Sequence, residues 1–284
     1  MKTGLVLEGG SMRGLYTAGI IDTFMDEDIK IDGIVGTSAG AVFGANYFSK
    51  QRGRVLRYNV RYCKSLRYMS IPSFLLTGNI VNRNFAFYDV TLKYDIFDNE
   101  TFIKNNTGYR AAVTNIETGK PEYIEITDVL AQLEVLRATS AIPFVSKPVE
   151  IDGKLYLDGG VSDSIPYKNC MESGYDKIIT VLTQPEGYRK KPMSDTVMRF
   201  VERKYKNYPN LVEAIKNRYV DYNNATDEIS ELEKSGRMFV FRPPSRLDVK
   251  HVERSAKKLR AAYELGREDC LRRLDELKEY LKNQ

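Results

Sequence analysis

Histidine is nearly missing from this chain: its 284 residues contain one, His251. A catalytic base built on imidazole therefore has a single source. That residue lies in Asp248-Val249-Lys250-His251-Val252-Glu253-Arg254, at the start of a charged stretch, and reads as a solvated helix residue. The count alone disfavours a Ser-His-Asp triad. Cysteine is scarce too. Cys63, Cys170 and Cys270 lie far apart, without metal-ligand spacing, and an odd number argues against a disulfide framework. Three reduced thiols in a cytoplasmic protein are expected. No apolar run approaches the roughly 20 residues that span a bilayer. The first apolar stretch is cut short by Glu8, so it reads as a strand, not a signal peptide. Repeats, low-complexity tracts and Pro/Gly/Ser linkers are absent. So are zinc spacing, a helix-turn-helix signature and an RNA-recognition motif, and nucleic acid is not an expected partner.

What remains is a chain with 42% hydrophobic and 29% charged residues, enough of each for a core and a solvated surface. Its charge is uneven: residues 1–187 sum to −2 and residues 188–284 to +7. Strand, glycine-rich turn, helix and strand follow one another within about 35 residues, which is a βαβ unit with a parallel pair. Its strands are expected over Gly4–Leu7 and Ile31–Val35, and its helices near Leu15–Asp28 and Ala39–Phe48. Further strands are expected at Tyr109–Ile116, Glu122–Ile126, Leu155–Leu157, Lys177–Leu182 and Arg237–Phe241. Asp128 is expected to cap a helix carrying Val129, Leu133, Leu136 and Ala138. Residues 195–233 and 250–282 are helical by periodicity. The fold class is α/β, three layers with a mostly parallel central sheet and helices on both faces. Residues 1–185 form the α/β core. Residues 186–284 form a helical part with one further strand, packed on that core as a single domain.

Ser38 sits in Gly36-Thr37-Ser38-Ala39-Gly40, after an expected strand and before an expected helix. A serine at such a turn has its hydroxyl pushed out of the sheet, beside the free N–H groups that open the helix. The turn Glu8-Gly9-Gly10-Ser11-Met12-Arg13-Gly14 and Asp158-Gly159-Gly160 also follow expected strands, at the edge where parallel sheets bind ligands. Acyl transfer by serine needs a nucleophile, a proton acceptor and an oxyanion hole. Ser38 supplies the first. With imidazole scarce, a carboxylate or a lysine must supply the second, and Asp158 is best placed. Backbone N–H groups of Gly9, Gly10, Ser11 and Ala39 are candidates for the third.

These three segments, in this order and spacing, resemble the patatin-like phospholipases, over roughly residues 1–185. The resemblance also takes in Thr139-Ser140-Ala141-Ile142-Pro143 and Val161-Ser162-Asp163-Ser164-Ile165-Pro166. It implies an α/β lipid acyl hydrolase with Ser38 as nucleophile, Asp158 as base and the Gly9–Gly14 loop as oxyanion hole. An acyl-enzyme intermediate is then cleaved by water, with no metal and no organic cofactor. Acyl transfer through the same dyad, or a lipid-binding protein without turnover, are the alternatives. The family's loop usually reads Gly-x-Gly-x-x-Gly, and Ser11 replaces its middle glycine; it is expected to serve through its N–H without a positive φ. Arg13 is expected to orient the loop or to meet an anionic headgroup.

Between Lys50 and Arg67 seven basic residues occur and no acidic one. Arg54, Arg57, Arg61 and Lys64 step by three, four and three, which places them on one stripe of a helix. That stripe is expected to make peripheral contact with an anionic membrane, at the inner membrane surface. Residues 70–108 and the C-terminal helices are expected to shape an acyl pocket.

Overall fold

Side-chain alternation along the strands sorts the core into two layers. The computed structural model describes residues 1–282. Its strands are β1 (Thr3–Leu7), β2 (Gly33–Thr37), β3 (Tyr109–Asn115), β4 (Pro121–Glu125), β5 (Val149–Ile151), β6 (Lys154–Asp158), β7 (Lys177–Val181) and β8 (Phe239–Phe241). Its helices are α1 (Gly14–Asp26), α2 (Ala39–Phe48), α3 (Arg54–Tyr62), α4 (Ile71–Thr77), α5 (Asn99–Asn105) and α6 (Leu133–Thr139). They continue with α7 (Tyr167–Glu172), α8 (Asp195–Lys204), α9 (Pro209–Lys234), α10 (Ala256–Arg272) and α11 (Leu274–Lys282), and Arg83–Tyr94 is π-helical. Leu5, Leu7, Ile34, Ile179, Val181, Phe239 and Phe241 face α1, α2 and the last two helices. Val6, Val35, Ile178 and Val240 face α7 and α9. Burial on both faces is why these strands read as near-continuous apolar runs.

The sheet runs β5-β6-β3-β2-β1-β7-β8, with β4 also on β3. The β3-β2-β1-β7-β8 part is parallel, and β4, β5 and β6 add antiparallel pairs. The three-layer α/β expectation holds.

One irregularity of the sheet creates the site. On one edge of β3, β4 sets Tyr123 and Glu122 against Ala112 and Val113. The other edge is shared. β2 arrives parallel and ends with Thr37 opposite Ala112; β6 arrives antiparallel and ends with Asp158 opposite Val113. Two strands thus end head to head at adjacent positions, and the chain after each must leave the sheet at the same point.

Residues beyond 185 contribute β8 to the sheet, and α10 crosses α1 at backbone contact. A Cβ on Gly19 would stand 2.1 Å from the Tyr263 carbonyl, and one on Gly266 2.1 Å from that of Tyr16. The crossing is fastened by buried hydroxyl–carboxylate bonds, Tyr16 to Asp269 (2.9 Å) and Tyr263 to Asp22 (2.6 Å). All three cysteines are buried and free. Among the described residues no helix is long and apolar enough to cross a membrane.

Local expectations fail at three points. Asp128 closes only a turn, accepting the Ala131 N–H at 2.9 Å, and the helix begins at Leu133. Ile31 stays outside β2 because its N–H donates to the Tyr47 hydroxyl. His251 is not helical: α10 begins after it, capped by Ser255.

Candidate active site

Ser38 is the residue by which the chain turns from β2 into α2, and it sits at φ 53°, ψ −124°. That backbone conformation is costly for a residue with a side chain, by roughly 1–3 kcal/mol, and it persists only where neighbours hold it. Two do so here. The Ser38 N–H donates to Thr139 Oγ1 (2.8 Å), and the Thr139 hydroxyl donates to the Ala112 carbonyl (2.6 Å). Gly40 must lack a side chain, since a Cβ would stand 2.5 Å from the Leu7 carbonyl.

The turn aims Ser38 Oγ at Asp158, where it donates to Oδ2 at 2.7 Å. The other oxygen, Oδ1, accepts the Gly160 N–H at 2.7 Å. Ser38 and Asp158 are 7% and 6% exposed, so the pair is nearly dry. Burial pushes the Asp158 carboxyl above the usual aspartate range; the bonds from Ser38 and Gly160 and the charges of Arg218 and Lys190 pull partly the other way. Such a carboxylate is a better proton acceptor than an exposed one.

The glycine-rich loop crosses over the pair. The Gly9 N–H, expected to face a substrate, is already bound to the Ser164 carbonyl at 3.1 Å. Gly10 and Ser11 open a short 3-10 turn and Ala39 opens α2, positions whose N–H groups have no acceptor within the turn. Ser11 stands at φ 51°, so the position does take the left-handed conformation for which the missing glycine is suited. Its hydroxyl holds the loop from the far side, donating to the His251 carbonyl at 2.7 Å.

Ser38, Asp158, Gly10 and Ser11 line a cavity of about 640 Å³. Its lining is apolar over Phe43, Val81, Phe87, Val90, Phe97 and Leu136 and carries Arg13, Lys190, Arg218, Arg246 and His251 as well. A larger cleft of about 1140 Å³ between α7 and α9 contains neither Ser38 nor Asp158. His251, read as a solvated helix residue, is exposed as expected but lies outside a helix, where it also lines the cavity; Ser38 bonds to Asp158, not to it.

The basic stripe of α3 is largely consumed within the protein. Arg54 is 5% exposed and gives Nε and Nη2 to the Asp95 carbonyl at 3.0 and 2.7 Å. Arg57 forks onto the Asp95 carboxylate at 3.0 and 2.8 Å. Arg61 and Lys64 remain exposed. Of the four cations expected on that stripe, Arg54 is thus buried, and Arg57, though exposed, is paired with Asp95. Thr139 had no role from sequence, because its partners lie 101 and 27 residues away.

A family model described as patatin-like phospholipase matches residues 5–171, and one described as a domain of unknown function, DUF6363, matches residues 208–282. The uncharacterized protein YjjU of Escherichia coli K12 is 28% identical over 272 residues, covering 94% of this chain and 75% of that protein. An uncharacterized NTE family protein of Mycobacterium tuberculosis H37Rv is 28% identical over 68% of this chain and 52% of its own length. Lysophospholipase NTE1 of Meyerozyma guilliermondii is 27% identical over 63% of this chain, which corresponds to 12% of that protein. The chain thus spans three quarters, about half and about an eighth of these relatives. Among solved structures, VipD from Legionella pneumophila aligns over 97% of this chain and 67% of its own, with TM-score 0.48 and 13% identity.

Proposed function

The chain belongs to the family of patatin-like phospholipases, and from that premise we propose that it is a serine-dependent lipid acyl hydrolase using a Ser38–Asp158 dyad. The observation that carries this reading is the 2.7 Å bond from the Ser38 hydroxyl to a buried carboxylate, inside a cavity with a partly apolar lining. Ser38 Oγ attacks the ester carbonyl while its proton passes to Asp158 Oδ2. The N–H groups of Gly10, Ser11 and Ala39 hold the resulting oxyanion. Each such donor is worth roughly 10²–10³ in rate at other enzymes. Collapse expels the alcohol, which takes the proton back from Asp158, and leaves the acyl group on Ser38. Water, deprotonated by Asp158, attacks that ester; the second oxyanion collapses, releases fatty acid and returns the proton to Ser38.

A lysophospholipid is the first substrate to test, as the NTE1 relatives bear the name of lysophospholipases. Released fatty acid should fall by about 10³-fold or more in Ser38→Ala and in Asp158→Ala, with melting temperatures near the parent's. Full turnover in Asp158→Ala would remove the carboxylate from the mechanism.

Contact with a lipid surface falls, in this reading, to α4. Ile71, Leu75 and Leu76 are 69%, 76% and 86% exposed. The segment is bracketed by cavity-lining residues, Tyr68 and Met69 before it and Ile80 and Val81 after it. Arg61, Lys64 and Arg67, all exposed, precede it in the chain. An apolar tip with a basic fringe at the rim of the acyl cavity suits an anionic bilayer.

A further inference from the structure

The cavity that holds Ser38 is also lined by four cations that the Ser-Asp chemistry does not need: Arg13, Lys190, Arg218 and Arg246. They come from the glycine-rich loop, the segment after β7, α9 and the segment after β8, so only the folded chain assembles them. Three of the four have identified surroundings, and none of these is an ion pair. Lys190 Nζ donates to the Ser164 hydroxyl at 3.1 Å and stands 3.7 Å over the Tyr222 ring. Arg218 Nε donates to the Gly160 carbonyl. Arg13 Nε is buried with no hydrogen-bond partner, as is Oε1 of the neighbouring cavity residue Gln184. Arg246 is exposed at the rim.

The nearby carboxylates already have partners. Asp158 takes the Ser38 hydroxyl and the Gly160 N–H. Glu8 takes the Tyr222 hydroxyl at 2.9 Å and the Thr183 N–H. Among the described residues none of these four cations makes a salt bridge, and an anionic ligand in the cavity would supply the missing counter-charge. The like charges also act on one another. Burial, with Arg218 and Arg13 beside it, holds Lys190 well below the usual lysine range. Burial and the same cations hold His251 down as well.

We propose that Arg13, Lys190, Arg218 and Arg246 form an anion subsite that seats a phosphate on the alcohol half of the substrate, so that acyl esters with an anionic phosphate headgroup are preferred over neutral glycerides. Guanidinium forks match phosphate oxygens in pairs. Ser38 opens into the same cavity, so an ester whose acyl chain packs on the apolar residues can seat its alcohol half on the cations. Arg218 and Arg246 lie within the DUF6363 match, as does His251 beside them, so that region supplies two of the four cations of the subsite. The substrate assignment rests on the hydrolase reading; the anion site does not.

Calorimetry on the Ser38→Ala chain separates the two, because it reads binding without turnover. Three probes are compared below their micelle concentrations: a monoacylglycerol 3-phosphate, the monoacylglycerol of the same chain length, and inorganic phosphate. The phosphate lipid should bind at least about tenfold more tightly than the neutral one. That advantage should shrink as salt rises and narrow severalfold in Arg246→Gln, and inorganic phosphate should compete with the lipid. Equal affinities for the two lipids, binding of neither, or binding of inorganic phosphate without a preference between the lipids would each overturn the subsite. Tight binding of the phosphate lipid with no fatty acid released by the parent chain would instead strike down the hydrolase reading and leave the subsite standing.

Discussion

Asp158 must keep a negative charge where little water reaches it, and its value as a base comes from that discomfort. Because burial raises its pKa, it regains a proton on acidification at a higher pH than an exposed aspartate, whose reference value is about 3.9. Protonated, it cannot accept from Ser38. The kcat/KM profile should therefore lose its acid limb with a midpoint above the reference aspartate value, and a limb at or below that value would contradict the assignment. The same shift has a sign for stability. Between the unfolded and folded pKa values the native state binds more protons, so stability falls as pH rises through that window. Asp158→Asn removes the penalty, and at neutral pH it should melt no lower than the parent while losing turnover. At Ser11 two small effects compete. The positive φ costs about 1 kcal/mol, and the hydroxyl bond to His251 returns about 0.5–1 kcal/mol. Ser11→Ala keeps the strain and loses the bond, so urea midpoints should fall by the equivalent of about 0.5–1 kcal/mol, whereas Ser11→Gly should fall less. An alanine variant as stable as the parent would show that the bond contributes nothing.

At the scale of elements, periodicity reads faces correctly and partners not at all. Arg54, Arg57 and Arg61 do lie on α3, with Lys64 just beyond its end, yet Asp95, 38 positions beyond Arg57, takes the first two. Nothing local announces that. The reverse holds for α4, whose seven residues are too few to show a period, while its apolar tip becomes evident only when burial is known. In the proposed reading the surface contact moves from a charged helix to an apolar one. Replacing Leu75 and Leu76 together by aspartate should lower partition onto phosphatidylglycerol vesicles by about tenfold or more, since burying a leucine is worth about 1.5–3 kcal/mol. Unchanged sedimentation with vesicles would remove α4 from the interface. The π-helical segment Arg83–Tyr94, whose Phe87 and Val90 line the cavity, was equally illegible: its aromatic-rich composition fits no 3.6 or 2.0 period.

For the whole molecule, the chemistry was legible where it is contiguous and hidden where it is assembled. Ser38 and Asp158 each carry a short signature of small residues at a strand end, so both could be named in advance. Their meeting depends on β2 and β6 sharing one edge of β3, a register no local pattern encodes. Lys190, Arg218 and Arg246 belong to no motif, and in a charged C-terminal region each reads as one more solvated cation. The C-terminal part is nonetheless structural, through β8 and the α1–α10 crossing, so the cavity cannot be studied on residues 1–185 alone. The central claim is that Ser38 is an activated nucleophile. Intact-protein mass after exposure to a fluorophosphonate probe tests it without any choice of lipid. The parent chain should gain the mass of one adduct, Ser38→Ala should gain none, and Asp158→Asn should react far more slowly. An adduct that survives in Ser38→Ala, or none on the folded parent chain, would contradict it.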